Sequence, residues 1–125
     1  MNLGAIQMAV HENAKAHGWW EEERTFGELI ALCHTELSEA FEEIRKGKTP
    51  WETYYSHKDE SGVEKFYANN PTGEFKPEGV PAELADCVIR ILDMCEHYEI
   101  DLEKVILEKH KYNQKRPYKH GGKTL

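Results

Sequence analysis

Apolar residues recur at helical spacing in four stretches of the chain. Over residues 2–17, Leu3, Ile6, Met8, Ala9 and Val10 follow a helical pattern that ends at Gly18. In the second stretch Leu29, Ile30, Cys33, Leu37, Ala40, Phe41 and Ile44 return every three or four residues. Thr25 followed by Glu28 has the form of a capping box for its start, and Gly47 and Pro50 stop it. A third helix begins near Pro81, a residue suited to a first turn, and runs to about Tyr98. Leu84, Cys87, Val88, Ile91, Met94, Cys95 and Tyr98 form its apolar face, so burial is expected there. A fourth starts at Asp101 as N-cap and reaches Asn113 or Gln114, with Pro117 and the run His120–Gly122 marking its end.

Residues 47–79 break the pattern. They carry Trp51, Tyr54, Tyr55, Phe66, Tyr67 and Phe75 among scattered Gly, Pro and Asn, with no sustained period. The spacing predicts a long connection with one short helix around Trp51 to Tyr55, and connections of that length in compact domains are often functional. The whole is read as an all-α, four-helix bundle-like fold with a long irregular insertion between helices two and three, one domain over residues 1–125.

Composition narrows the classes. Apolar content is 39%, charge is 31% and the net charge is −7, which argues against a general binder of nucleic-acid polymers or of membrane surfaces. The charge is uneven: from Lys104 to Leu125 seven Lys/Arg face one acid, leaving −13 on the rest of the chain. Cys33, Cys87 and Cys95 lie among apolar neighbours without CxxC spacing, as buried free thiols of a reducing compartment would. Without a signal-like N-terminus or an apolar run of the roughly 20 residues needed to span a bilayer, a cytoplasmic location is expected.

The chemistry is carried by carboxylates. Glu36 and Glu39 lie in "HTELSEAFEEIR", and Glu83 and Asp86 in "PAELADCVIRILDMC". Residues three apart on a helix are neighbours on one face, and like charges so placed repel. Both pairs sit at the margin of an apolar stripe, where carboxylates need a partner. Solvated faces, with Arg90 bridging Asp86 and Asp93, are the plain alternative. Two facing pairs would instead make a four-carboxylate cage for a hard divalent cation, Mg²⁺ or Mn²⁺, ions that commonly serve phosphate chemistry. No histidine has a Glu three residues before it, which removes the di-iron bundle pattern, and no His/Cys cluster suits zinc. Near the C-terminus Lys109, Asn113 and Arg116 share a face if the helix continues, with Lys115 and Lys119 beside them, as phosphate contacts would require.

Together "ELSE", "ELAD" and "KHKYNQKRPYKHGGK" resemble the MazG-like branch of the all-α NTP pyrophosphatase superfamily, over residues 25–46 and 80–123. The resemblance implies Mg²⁺-dependent hydrolysis of nucleoside triphosphates to the monophosphate and pyrophosphate by a homodimer or homotetramer. It implies Glu36, Glu39, Glu83 and Asp86 as metal ligands, with Glu36 or Glu39 also the proton acceptor. Lys109, Asn113 and Arg116 would contact phosphate or sugar, and Asp93 would lie near the nucleotide. One departure concerns the link between the acidic motifs, short in the family and here 43 residues. Two rivals share parts of this pattern: a pyrophosphohydrolase of phosphoribosyl nucleotides in the same superfamily, and a non-catalytic helical interaction protein. Trp19, Trp20 and Trp51 are candidates for stacking on a base.

Overall fold

In the computed structural model residues 2–118 are described. In chain order they form α1 (Leu3–Ala16), one 3₁₀ turn (Trp19–Glu21), α2 (Phe26–Arg45), β1 (Tyr54–Lys58), β2 (Glu64–Tyr67), β3 (Lys76–Glu78), α3 (Val80–His97) and α4 (Leu102–Gln114). The four expected helices are present. Lys119 and the run His120–Gly122 lie outside the described residues. Contacts group the chain into two compact units, one of Glu22–Ile91 and one of the N-terminal segment through Glu21 with the chain from Leu92 onward.

In the unit Glu22–Ile91, α2 opens with the expected capping box: the Glu28 N–H donates to Thr25 Oγ1 at 3.1 Å, and Glu28 Oε1 accepts from the Thr25 N–H at 3.4 Å. Such a cap satisfies two of the four donors that a helix start leaves orphaned. Gly47, at φ +93°, ends the helix where an L side chain would be strained. Cys87 donates its thiol to the Cys33 carbonyl at 3.6 Å, tying α3 to α2; the cysteines are free, and Cys87 is buried.

The expectation of a purely all-α chain with an irregular insertion is overturned. Of the described residues 59% are helix and 10% strand, and residues 47–79 contain a three-stranded antiparallel sheet of order β2-β1-β3. Tyr55 stands opposite Tyr67 and Pro77, and Ser56 opposite Phe66 and Lys76. No helix forms around Trp51 to Tyr55; a turn occupies 50–51 and Tyr54 opens β1. The cause is local turn chemistry. Asp59 Oδ1 accepts from the Ser61 and Val63 N–H groups and the Ser61 hydroxyl, at 2.9, 3.0 and 2.6 Å, and Gly62 supplies φ +84°. Phe75 then stacks between His57 and Tyr67, with centroids 4.9 and 5.0 Å away. Gly79, at φ +106°, precedes α3; a Cβ there would collide with the Glu52 carbonyl oxygen. That close approach seats the first turn of α3 on the backbone of residues 52–53.

In the other unit Asn2 caps α1 by accepting from the Ala5 N–H at 2.8 Å. Buried Gln7 donates to Glu96 Oε1 at 3.0 Å and to the Ile100 carbonyl at 2.8 Å. Leu92, Met94 and Cys95 are buried. Asp101 caps α4, accepting from the Lys104 N–H at 3.2 Å.

Candidate metal centre

Helix periodicity puts Glu36 and Glu39 one turn apart on α2, and Glu83, Asp86 and Arg90 along one side of α3. The structure brings Glu36, Glu39 and Glu83 together: each offers a carboxylate oxygen within 4.8 Å of the other two. Glu36 is buried, Glu83 half-buried and Glu39 exposed, so the group opens to solvent at Glu39. Arg90 Nε donates to Glu36 Oε1 at 2.7 Å, a contact between helices where sequence spacing offered Asp86 and Asp93 as its partners.

The charges in this cluster are not alike. Burial raises the Glu83 carboxyl to about 7, with hydrogen bonding to Glu39, repulsion from Glu39 and contact with Glu36 adding to it. Burial likewise pushes Asp86 up, helped by the Glu36 charge, although Asp86 lies outside the close group of three. Burial also works against an ionised Glu36, but the Arg90 hydrogen bond and charge outweigh it and hold that carboxyl below its ordinary value. The ground state near neutral pH is therefore a buried anion clamped by Arg90 beside a carboxyl that keeps its proton half the time. A hard cation would replace that proton. The donor set is all oxygen, which suits Mg²⁺ or Mn²⁺.

The remaining expected site residues belong to the other unit. Asp93 is buried and already engaged: its Oδ1 accepts from His11 Nδ1 at 2.7 Å and from Trp20 Nε1 at 2.9 Å. Trp20 stacks on His97 at 3.9 Å between centroids, with planes 7° apart. Lys109, Asn113 and Arg116 are exposed; Lys109 Nζ and Arg116 Cζ stand 5.6 and 5.9 Å from the Tyr112 ring centroid. Trp51 is exposed.

Three arrangements escaped the sequence reading. Arg90 reaches Glu36 across two helices, and no spacing rule reports a pair 54 residues apart. The His11–Asp93–Trp20 set joins three separate segments. Buried Glu43 accepts from the Tyr54 hydroxyl at 3.0 Å on each oxygen, and burial with this bond pushes the phenol up to about 12. A separate open hollow of about 460 Å³ on the sheet is lined by Ser56, His57, Lys58, Glu64, Glu74 and Lys76; its opposed charges favour no ligand sign. No helix among the described residues is long and apolar enough to cross a membrane. Compared with protein-family models, with curated proteins and with solved structures, the chain finds no match.

Proposed function

We propose that the chain is a Mg²⁺-dependent nucleoside triphosphate pyrophosphohydrolase, cleaving (d)NTP to (d)NMP and pyrophosphate in nucleotide-pool house-cleaning in the cytoplasm. The observation that carries the reading is the convergence of Glu36, Glu39 and Glu83 from two helices, in the pattern that resembles the MazG-like branch. An acidic trio costs stability by itself, which supports a cationic ligand.

Glu36, Glu39 and Glu83 would hold Mg²⁺ or Mn²⁺, with Asp86 beside them. Bound there, the ion would offset phosphate charge and ease ionisation of water. Glu39 is the better proton acceptor of the α2 pair, because it is exposed while one Glu36 oxygen is committed to Arg90. Arg90 keeps Glu36 ionised and oriented. Asp93, Lys109, Asn113 and Arg116 are assigned to the substrate by the resemblance alone, as is homo-oligomerisation.

The test is pyrophosphate release from a panel of standard and modified NTPs and dNTPs, with Mg²⁺ and with EDTA. Release that EDTA abolishes is expected. The double variant Glu36→Gln with Asp86→Asn should lose turnover yet keep its helical circular dichroism; full activity in it would refute the carboxylate assignment. Mg²⁺ binding without release from any of these would point to phosphoribosyl substrates. Neither binding nor release would leave an interaction protein as the better account.

A further inference from the structure

The strand register gives the sheet one face turned to the helices that carry the carboxylates. Tyr54 stands opposite Glu78 and Ser56 opposite Lys76, so these four side chains share a face. That face packs on α2: Ser56 is buried, and the Tyr54 hydroxyl donates to both oxygens of Glu43. Glu43 lies two turns from Glu36 on the same buried side of α2. At the other end only Gly79 separates β3 from α3, the helix of Glu83 and Asp86. Lys76 is therefore a cation that segment 47–79 carries to the edge of the acidic group.

The electrostatics agree with that placement. Burial and then Glu36 raise the Asp86 carboxyl, while Arg90 and Lys76 pull it back down. The Lys76 ammonium is raised above its ordinary value by Glu78 first and, against burial, by Glu83. Yet the lysine is loosely held. Its Nζ stands 3.3 Å from Glu78 Oε1, an oxygen that also accepts from the Ser56 hydroxyl at 3.3 Å. The Lys76 side chain is 76% exposed, whereas that of Glu78 is 15% exposed. A pair so open to water contributes little stability, so the flexible lysine can leave it while Ser56 keeps Glu78 in place. Arg90 lacks that freedom, being committed to buried Glu36. A triphosphate offers such a lysine several strong acceptor oxygens.

We propose that Lys76 is a phosphate-binding residue, which exchanges Glu78 for an oxygen of the substrate triphosphate. The inference rests on the pyrophosphohydrolase reading and gives segment 47–79 a part in holding the substrate.

The first test is pyrophosphate release against nucleotide concentration at saturating Mg²⁺. Lys76→Met should raise KM about tenfold, the worth of one charge-assisted contact in water, with kcat changed less than about threefold. Lys76→Arg should recover most of the loss, since a guanidinium also binds phosphate. Lys65→Met removes an equal charge from the opposite face of the sheet and should leave KM unchanged. Circular dichroism should be the same for all of them.

Isothermal titration separates this inference from the reading beneath it. Inorganic tripolyphosphate with Mn²⁺ should bind Lys76→Met about tenfold more weakly than wild type. Mn²⁺ alone should bind the variant no more weakly, because the charge removed was repelling the ion. A wild type that hydrolyses no nucleotide, yet binds tripolyphosphate more tightly than the variant, would sink the reaction and keep the phosphate contact. Tripolyphosphate binding that is equal in the two proteins, or absent from wild type, would overturn the contact even where turnover stands. So would a fall in kcat at unchanged KM, or an equal rise in KM for Lys65→Met.

Discussion

A cation held by Glu36, Glu39 and Glu83 would bind with an affinity that depends on pH in a range where ordinary carboxylates are silent. Glu83 titrates at about 7, mainly through burial and then through Glu39. A carboxyl must lose its proton before it can ligate, so apparent affinity scales with the ionised fraction. That fraction is roughly one in ten at pH 6 and nine in ten at pH 8 for such a group, a ratio of about ten, or about 1.4 kcal/mol. Glu36, held below the ordinary range by Arg90, adds nothing over this window, whereas Asp86, which burial raises, can only steepen the dependence. Carboxyls titrating near 4.5 would change affinity by only about 3% between the same pH values.

Isothermal titration with Mn²⁺ or Mg²⁺ at pH 6, 7 and 8, in buffers of different ionisation enthalpy, reads both affinity and proton release. Expected are a roughly tenfold weaker constant at pH 6 than at pH 8 and about half a proton released per ion at pH 7. Glu83→Gln should bind more weakly and lose most of the pH slope. A constant that is flat from pH 6 to pH 8, with no proton release, would refute the argument.

Arg90→Met leaves buried Glu36 without its guanidinium. The depressed Glu36 carboxyl contributes stability present above its unfolded value and lost as pH falls through the lower folded one. Urea melts should therefore show a loss of about 1–2 kcal/mol at pH 7 that shrinks below pH 4. Tyr54→Phe removes the hydroxyl that donates to both oxygens of buried Glu43, and chemical denaturation should register a loss of about 1–3 kcal/mol. Gly79→Ala forces a side chain into φ +106° and against the Glu52 carbonyl. A loss of about 2–4 kcal/mol is expected from thermal melts, together with weaker metal binding, because Glu83 sits in the helical turn that follows.

The helices were legible because each carries both a period and a stop signal. Thr25 with Glu28, Gly47 and Asp101 mark ends that need no tertiary information. The sheet was not legible as alternation: every β2 side chain is exposed, β3 is three residues long and includes Pro77, and β1 buries only Ser56. Its signal lay in the turn, where Asp59 and Gly62 sit between aromatic segments, and a reading centred on hydrophobic period passes over turn chemistry. The carboxylate positions were legible from spacing, and Glu36, Glu39 and Glu83 do converge. Their unequal environments depend on Arg90 and on depth in the fold, which no local pattern encodes. The apolar faces misled in one respect. Leu37, Phe41, Leu84 and Val88 carry the period of a core yet remain largely exposed within the chain, because α2 turns its carboxylates inward instead.

That orientation costs stability, and the cost can be measured at Glu83. A carboxyl whose pKa is raised on folding destabilises the native state progressively as pH climbs from the unfolded value to the folded one, and fully above it, because the unfolded chain gives up the proton more readily. For Glu83 the rise from 4.5 to about 7 would correspond to roughly 3 kcal/mol in a fully buried setting. Solvent reaches this half-buried side chain, so about 1–2 kcal/mol is the better figure. Glu83→Gln removes the ionisation while preserving shape, and should raise the metal-free melting temperature by several degrees at pH 8. At pH 4 the native group is protonated and the two proteins should melt alike. Saturating Mg²⁺ at pH 8 should reverse the order, since wild type gains a ligand that the variant binds poorly. If Glu83→Gln melted lower than wild type at pH 8 in EDTA, the carboxylates would be held by structure rather than against it, and the case for a cation among them would fail.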